Sequence, residues 1–83
     1  MPKLQFKRIA EEQFDALPDH VYDEIDEKLL RIQANPRDEG EELIGKLAGR
    51  WRARVGGYRI VYRILEGGNL VMVDAIKTRG QSY

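Results

Sequence analysis

The chain has 83 residues, of which 42% are apolar and 34% charged, and it contains 14 basic side chains, 14 acidic ones and no cysteine. This composition is typical of one small soluble domain, spanning residues 1–83, that buries about 60–65% of the surface of its unfolded chain. It excludes disulfides, thiolate metal sites and cysteine nucleophiles. Since no apolar run has the length of a membrane span or a signal peptide, we expect a cytoplasmic protein with no membrane partner.

The N-terminal part predicts a strand followed by a short helix. Residues 3–9 alternate in polarity and place Leu4 and Phe6 on one face of a strand. Ala10 to Leu17 has apolar side chains at helical spacing. Pro18 ends this helix or begins the next one.

A second helix is predicted from about residue 20 to Ala34. Asp19 is suited to cap it, and Asn35-Pro36 stops it. Its apolar stripe consists of Tyr22, Ile25, Leu29 and Ile32. Two helices joined this closely are expected to fold back as a helical hairpin.

The C-terminal half predicts three antiparallel strands. Residues 50–55 and 58–65 alternate around a two-residue Gly56-Gly57 turn, and a second turn at 66–69 leads to a strand at 70–76. The N-terminal strand can extend this meander at an edge. We therefore predict an α+β fold, with an N-terminal strand and a two-helix hairpin packed on one face of a mainly antiparallel four-stranded sheet, in the order β-α-α-β-β-β.

The two signs of charge are separated along the chain. Residues 1–45 contain six basic and twelve acidic side chains, a net charge of −6, whereas residues 46–83 contain eight basic and two acidic ones, a net charge of +6. One interpretation is that an acidic helical face and a basic sheet neutralise one another. The other is that the basic half binds a polyanion such as nucleic acid.

The hairpin register predicts where the arginines point. With Gly56-Gly57 as the turn, Arg54 lies opposite Arg59, and directly opposed residues share a face. One face then carries Arg50, Arg52, Arg54, Arg59 and Arg63, and the other carries Trp51, Ala53, Val55, Tyr58, Ile60 and Tyr62. A three-residue turn with a bulge would instead shift one strand by one position.

The same alternation, carried through the second turn, predicts the other residues of the basic face. It places Asp74 opposite Val61, where its carboxylate can pair with one or two arginines, and puts Met72 and Ile76 on this face as well. Opposed arginines are destabilising, and such pairs contribute roughly 0.2–1 kcal/mol. A solvated arginine face on an exposed sheet is the structural alternative. We favour a phosphate-bearing partner.

Converging guanidinium groups offer a route to RNA cleavage that needs no metal or cofactor. They can stabilise the charge that develops on a phosphodiester when the ribose 2′-hydroxyl attacks it. The single histidine, His20, lies in the acidic half at the start of the second predicted helix and is interpreted as a surface or capping residue. A nuclease built on paired histidines is therefore not favoured.

These segments resemble a known family. The runs LAGRWRARVGGYRIVYRI and VDAIKTRGQSY resemble the C-terminal half of the RelE/ParE toxin superfamily, and the strand, LP turn, long helix and NP stop before them also look like it. The resemblance covers nearly the whole chain. It implies a toxin neutralised by an antitoxin and, in the RelE branch, an endoribonuclease that cuts messenger RNA in the ribosomal A site.

The resemblance also implies roles for individual residues. The catalytic positions carried over are Arg52, Arg54, Arg59, Arg79 and Tyr83, and the ancillary contacts to RNA are Lys46, Arg50, Arg63 and Lys77. Tyr83 matches the tyrosine that stacks on a base of the substrate. Some family members have lysines in the first basic strand, where one is a candidate proton acceptor. Because arginine stays protonated in this role, the base here is Tyr83, Lys77, Lys46 or a group of the ribosome or substrate.

Two other functions stay open. In the ParE branch, members inhibit DNA gyrase and lack the nuclease's catalytic set. The third possibility is a binding module that acts only with its antitoxin on operator DNA. For the antitoxin we expect an acidic, amphipathic segment, either a helix or an added strand, whose binding weakens as salt rises.

Overall fold

A computed structural model of the chain describes residues 1–78. Its strands and helices, in chain order, are β1 (Lys3–Phe6), α1 (Arg8–Asp15), α2 (Asp19–Ala34), β2 (Glu41–Glu42), β3 (Arg50–Val55), β4 (Tyr58–Leu65) and β5 (Leu70–Thr78). The strands form one sheet in the order β1-β5-β4-β3-β2. β1 is parallel to β5, and the other neighbours are antiparallel. The predicted α+β fold is confirmed, with the addition of β2.

The helices carry the chain from one edge of the sheet to the other. β1 lies at one edge, and after the two helices the chain resumes at β2 on the opposite edge and returns through the meander to β5. β2 was not predicted because two consecutive glutamates show neither alternation nor β-propensity. Within residues 1–78, β2 pairs only with Trp51 and Arg52 of β3.

Both helices bury an apolar stripe against the same face of the sheet. Ala10 and Phe14 of α1 are buried, as are Val21, Ile25, Leu29 and Ile32 of α2. The prediction for Tyr22 was wrong, because Val21 occupies the buried position and Tyr22 is 36% exposed, with its ring stacked on Phe14 at 4.2 Å between centroids. Asp19 is also not the cap. Pro18 holds that position, and its carbonyl accepts hydrogen bonds from the N–H groups of residues 21 and 22.

The sheet side of the core matches the predicted apolar face. Ala53, Ile60 and Tyr62 are fully buried in the main cluster, and Leu4, Phe6, Trp51, Val55 and Tyr58 pack against it. Tyr62 is 0% exposed, and its hydroxyl donates a hydrogen bond of 2.7 Å to the carbonyl of Pro36. A Cβ at Gly40 would overlap this hydroxyl. The loop before β2 is thus held against the sheet.

The β3–β4 register is as predicted. Val55 lies opposite Tyr58, and Arg54 lies opposite Arg59. Gly56 has a φ of 56°, while Gly57 is outside the positive-φ region. A positive φ at the first turn position alone is the pattern of a type II′ turn, so only Gly56 of the two turn glycines needs a positive φ.

The β4–β5 register differs from the prediction because β5 contains a bulge. Val61 pairs with Ala75 and Tyr62 with Val73, which leaves Asp74 without a partner in the ladder. The predicted Asp74–Val61 pairing was therefore wrong. The extra residue also reverses the faces beyond it, so Ile76 pairs with Ile60 and is buried in the core instead of lying on the basic face.

No helix within residues 1–78 is both long and apolar enough to span a membrane.

Candidate nucleic-acid interface

The face of the sheet away from the helices is predominantly basic. Strand alternation sends the arginines of β3 and β4 to this side, since their neighbours Ala53, Ile60 and Tyr62 point into the core. Opposed residues on β3, β4 and β5 form three rows, which are Arg54–Arg59–Lys77, Arg52–Val61–Ala75 and Arg50–Arg63–Met72. We call this surface the basic face.

The row beside the hairpin turn consists entirely of cations. Arg54, Arg59 and Lys77 lie abreast on three strands that are about 4.8 Å apart. Arg54 is exposed and makes no ion pair within residues 1–78. It lines a recess of about 390 Å³ with Tyr58 and Arg59 at the tip of the hairpin. This row forms the hairpin end of the basic face.

The middle row combines a cation with apolar surface. Arg52 lines a pocket with Arg59 and Lys77, and its side chain is 24% exposed. One terminal nitrogen of Arg52 lies 3.7 Å from a carboxylate oxygen of Glu41, the residue opposite it on β2. The Nε of Arg52 is buried and has no hydrogen-bond acceptor among the described residues. Within residues 1–78, a terminal nitrogen of the Arg52 guanidinium thus has an ion-pair partner, whereas its Nε has no hydrogen-bond acceptor.

The third row is organised around a buried carboxylate. Asp74 is 4% exposed and accepts hydrogen bonds of 2.8 Å from both Nε and Nη2 of Arg63. The Nε of Arg50 and the Nζ of Lys7 lie 3.5 and 3.7 Å from the same carboxylate. The expected pairing of Asp74 with arginines is therefore present, although the bulge and not the predicted register brings it there. We call this group the Asp74 cluster.

The predicted site residues fall into distinct places. Arg52, Arg59 and Lys77 share one pocket, Arg54 flanks Arg59 at the turn, and Arg50 and Arg63 belong to the Asp74 cluster. Lys46 is exposed in a short 3-10 helix, Gly45–Leu47, beyond β2. Arg79 and Tyr83 lie outside the described residues.

Sequence reasoning did not identify three residues at the interface. Glu41 reaches Arg52 from the edge strand, and Leu43 and Leu47 line the pocket in the middle row. Glu41 sits in the polar run RDEGEELIG, where nothing in the pattern sets it apart from its acidic neighbours. Its importance follows only from the pairing of β2 with β3.

One tyrosine near the arginines has an altered acidity but lies on the other face. Burial, together with the charge of Glu39, raises the pKa of Tyr62 to about 12. Its ring is fully enclosed in the core and its hydroxyl is bonded to Pro36. Tyr62 is thus a structural residue. Within residues 1–78, no group of three or more histidine, aspartate and glutamate side chains is placed to hold a metal ion.

Comparison with known proteins shows what this architecture is similar to. The sequence matches, over residues 4–83, the family model described as the ParE toxin of the type II toxin–antitoxin system parDE. No curated protein matches the chain in sequence.

Three solved structures illustrate the structural likeness. The toxin–antitoxin complex RelBE2 from Mycobacterium tuberculosis gives a TM-score of 0.85 at 27% identity, covering 95% of this chain and 100% of the other. The isolated RelE toxin of E. coli gives 0.85 at 24% identity, covering 99% and 88%. The archaeal RelE–RelB complex from Pyrococcus horikoshii gives 0.76 at 21% identity, covering 98% of each chain. The last two identities establish a shared fold alone.

Proposed function

The chain belongs to the family of ParE toxins of type II toxin–antitoxin systems, and because of its basic face we propose that it is an endoribonuclease that cleaves messenger RNA in the ribosomal A site. Its partners on this proposal are a cognate antitoxin, the ribosome and messenger RNA. The similar M. tuberculosis structure is a toxin–antitoxin complex, which supports an antitoxin as a partner.

The observation that carries the proposal is the cationic row at the hairpin end, next to the pocket of Arg52. Like charges directly opposite one another on neighbouring strands are destabilising, and this row places three cations side by side. Arginine forks bind two phosphate oxygens at once, and their charge is retained at neutral pH. A phosphodiester lying across the row contacts cations from all three strands. We assign the phosphate-binding role to Arg52, Arg54 and Arg59, with Lys77 beside them.

The proposed reaction is an internal transesterification. The ribose O2′ attacks phosphorus and a bond forms between them, while the bond from phosphorus to the O5′ of the next nucleotide breaks. The products are a 2′,3′-cyclic phosphate and a 5′-hydroxyl. Negative charge on the two non-bridging oxygens rises in the transition state, and preorganised guanidinium donors stabilise that charge more than the charge of the ground state.

A proton must leave the 2′-hydroxyl during this attack, and we propose Glu41 as a further candidate to accept it. Its carboxylate is 76% exposed and lies beside Arg52. Asp74 is unsuited, because it is buried and engaged by Arg63. Glu41 thus joins the earlier candidates Tyr83, Lys77 and Lys46 as a general base. The departing O5′ takes a proton from water or from a protonated group of the site.

Primer extension in a ribosome-containing translation reaction tests this function. We expect new RNA ends within codons when the wild-type chain is present, and loss of those ends with Arg59→Ala and Arg79→Ala. Both variants should retain antitoxin affinity within about tenfold, a difference of 1.4 kcal/mol. Intact transcripts with wild-type protein, at concentrations that stop translation or growth, would contradict the nuclease assignment.

The second candidate function is inhibition of DNA gyrase. It is favoured by the family model itself, which carries the ParE description over residues 4–83. A supercoiling assay with purified gyrase distinguishes the two, because a nuclease leaves supercoiling unchanged. A third possibility, operator DNA binding through the antitoxin complex, predicts that neither RNA ends nor supercoiling change and that DNA is retained only when the antitoxin is present.

A further inference from the structure

The pocket in the middle row has an apolar interior although it lies on the basic face. It is lined by Leu43, Leu47, Arg52, Arg59, Val61 and Lys77 and has a volume of about 120 Å³. Val61 is 3% exposed, yet it faces away from the helices and takes no part in the main core cluster. Leu43 and Leu47, from the loop after β2, line the same pocket. The fold therefore builds a second, small apolar site among the cations.

The wall of the pocket is fixed by backbone contacts. The N–H of Leu43 donates a hydrogen bond of 2.8 Å to the carbonyl of Arg50, which continues the β2–β3 pairing by one step. Gly45 has a φ of 75° and starts the turn that returns Leu47 to the sheet. The N–H of Ala48 closes this turn on the carbonyl of Gly45 at 3.1 Å. The pocket is thus formed before any ligand arrives.

The rim of the pocket favours an anion. Its polar lining consists of Arg52, Arg59 and Lys77, all of them cations. Arg52 in addition has a buried Nε that lacks an acceptor within residues 1–78. A ligand oxygen that accepted a hydrogen bond from this donor would satisfy a buried polar group that otherwise has no acceptor.

From these features we infer that the pocket is a subsite for a single nucleotide of the RNA substrate. The base packs between Leu43, Leu47 and Val61, and its phosphate lies on the cationic rim. This inference rests on the proposed nuclease function and adds to it where one base sits. A cavity of about 120 Å³ accepts one ring system, whereas a whole helix of about 10–12 Å diameter does not fit. Apolar walls contact the faces of any base, so the subsite holds a base without selecting one.

Methyl NMR spectra of the full chain, titrated with adenosine 5′-monophosphate or ribose 5-phosphate, test the subsite. We expect the nucleotide to shift the methyl resonances of Leu43, Leu47 and Val61 through its ring current. The sugar phosphate, which has no base, should leave these methyls unchanged and bind about tenfold more weakly.

A matched pair of variants separates the pocket from the loop that carries it. Leu47→Ala should weaken adenosine 5′-monophosphate binding by about tenfold, to the level of ribose 5-phosphate, and leave ribose 5-phosphate binding unchanged. Ile44→Ala removes an apolar side chain that is 89% exposed on the same loop and outside the pocket lining, so it should change neither.

Two outcomes would overturn the inference. Equal affinities for the two probes, or silent methyl resonances, would show that no base enters. Methyls that respond only to an acidic, leucine-containing peptide would assign the pocket to a protein side chain. Ribosome-dependent cleavage by the wild-type chain, measured in parallel, keeps the two proposals apart. Cleavage with silent methyls defeats the subsite alone, whereas methyl shifts without cleavage leave a nucleotide pocket and remove its role in a nuclease.

Discussion

The two ends of the basic face carry the same cross-strand pair in different surroundings. At one end Arg50 lies opposite Arg63, and at the other Arg54 lies opposite Arg59. The first pair converges on the carboxylate of Asp74, which the bulge in β5 delivers to it. The second pair continues into Lys77, a third cation, and Arg54 makes no ion pair within residues 1–78.

The difference teaches that an arginine's role depends on whether the fold supplies a counter-charge. In the Asp74 cluster, bidentate hydrogen bonds offset the repulsion and hold the guanidinium of Arg63 in one orientation. At the hairpin end, Arg54 makes no ion pair within residues 1–78, so its charge remains available to a phosphate. We therefore expect the Asp74 cluster to contribute mainly to stability and the hairpin end mainly to activity.

The largest expected effect is on cleavage at the hairpin end. Arg59→Gln should lower the rate of ribosome-dependent RNA cleavage by about 10²–10³-fold, the range for losing one preorganised donor to a transition-state charge. Arg50→Gln, made in the Asp74 cluster, should lower it by less than about tenfold, or 1.4 kcal/mol. Single-turnover rates on stalled ribosomes provide the measurement. Equal reductions of the cleavage rate in Arg59→Gln and Arg50→Gln would contradict the proposed division of the basic face.

The next effect is on stability in the Asp74 cluster. Asp74→Asn should lower the free energy of unfolding by about 2–3 kcal/mol, somewhat below the range for breaking a fully buried pair, because the Arg63 side chain is 28% exposed. Urea denaturation gives this value. Adding Arg63→Met to Asp74→Asn should recover part of the loss, since the guanidinium that made the two hydrogen bonds to the carboxylate is then removed together with it. If Asp74→Asn is as stable as wild type, the carboxylate of Asp74 does not stabilise the Asp74 cluster.

A smaller effect is expected on the opposite face of β4, where Tyr62 follows Val61 and precedes Arg63. Tyr62→Phe removes the hydrogen bond to Pro36 and should cost about 1 kcal/mol. The pKa of Tyr62 is raised from its ordinary value of 10.0 to about 12, so the folded state binds this proton more tightly than the unfolded chain. The associated stability is present below pH 10 and is lost as the pH rises towards 12.

Thermal melts between pH 9 and 12 check this dependence. The fall in wild-type stability that Tyr62 causes should be missing from Tyr62→Phe, while falls due to other groups remain in both proteins. Identical curves for the two proteins would show that the hydroxyl of Tyr62 ionises as freely in the folded chain as in the unfolded one.

The smallest effect on stability is expected at the exposed end. Arg54→Gln removes one charge from a repulsive row, so the free energy of unfolding should stay constant or rise by up to about 0.5 kcal/mol. The same change should reduce the dependence of RNA affinity on salt, because one fewer cation meets the backbone. Filter binding at several salt concentrations measures this slope. A destabilisation above about 1 kcal/mol would reveal a structural role for Arg54.

Local signals in the sequence were enough to predict the fold and one strand pairing. The polarity pattern predicted both helices and four strands, and the Gly56-Gly57 turn fixed the β3–β4 register because a two-residue loop leaves one pairing. That register in turn put the arginines of β3 and β4 on the face away from the helices. Successive side chains of a strand point to opposite faces of the sheet. This alternation depends only on neighbouring residues, so the sequence alone predicts it correctly.

The second strand pairing required tertiary information. No glycine or proline, the usual sequence signals of an irregular strand, lies next to the bulge at Asp74, and the residues on either side are apolar. Its position follows from packing, since it turns Ile76 towards the core and brings Asp74 to Arg63. Gln13 of α1 then accepts the backbone N–H of Ile76 at 2.7 Å, a contact between residues far apart in the chain.

The site shows the same division. The amino-acid sequence by itself determined the chemistry of the basic face, because arginine remains charged in any fold and strand alternation gives its side chains a common direction. Only the tertiary structure decided which arginines meet a carboxylate, and which edge residues, Glu41 and Leu47 among them, join the face. Those contacts join residues that are far apart in the chain. They depend on how the helices and strands pack together, and no local sequence pattern encodes that packing.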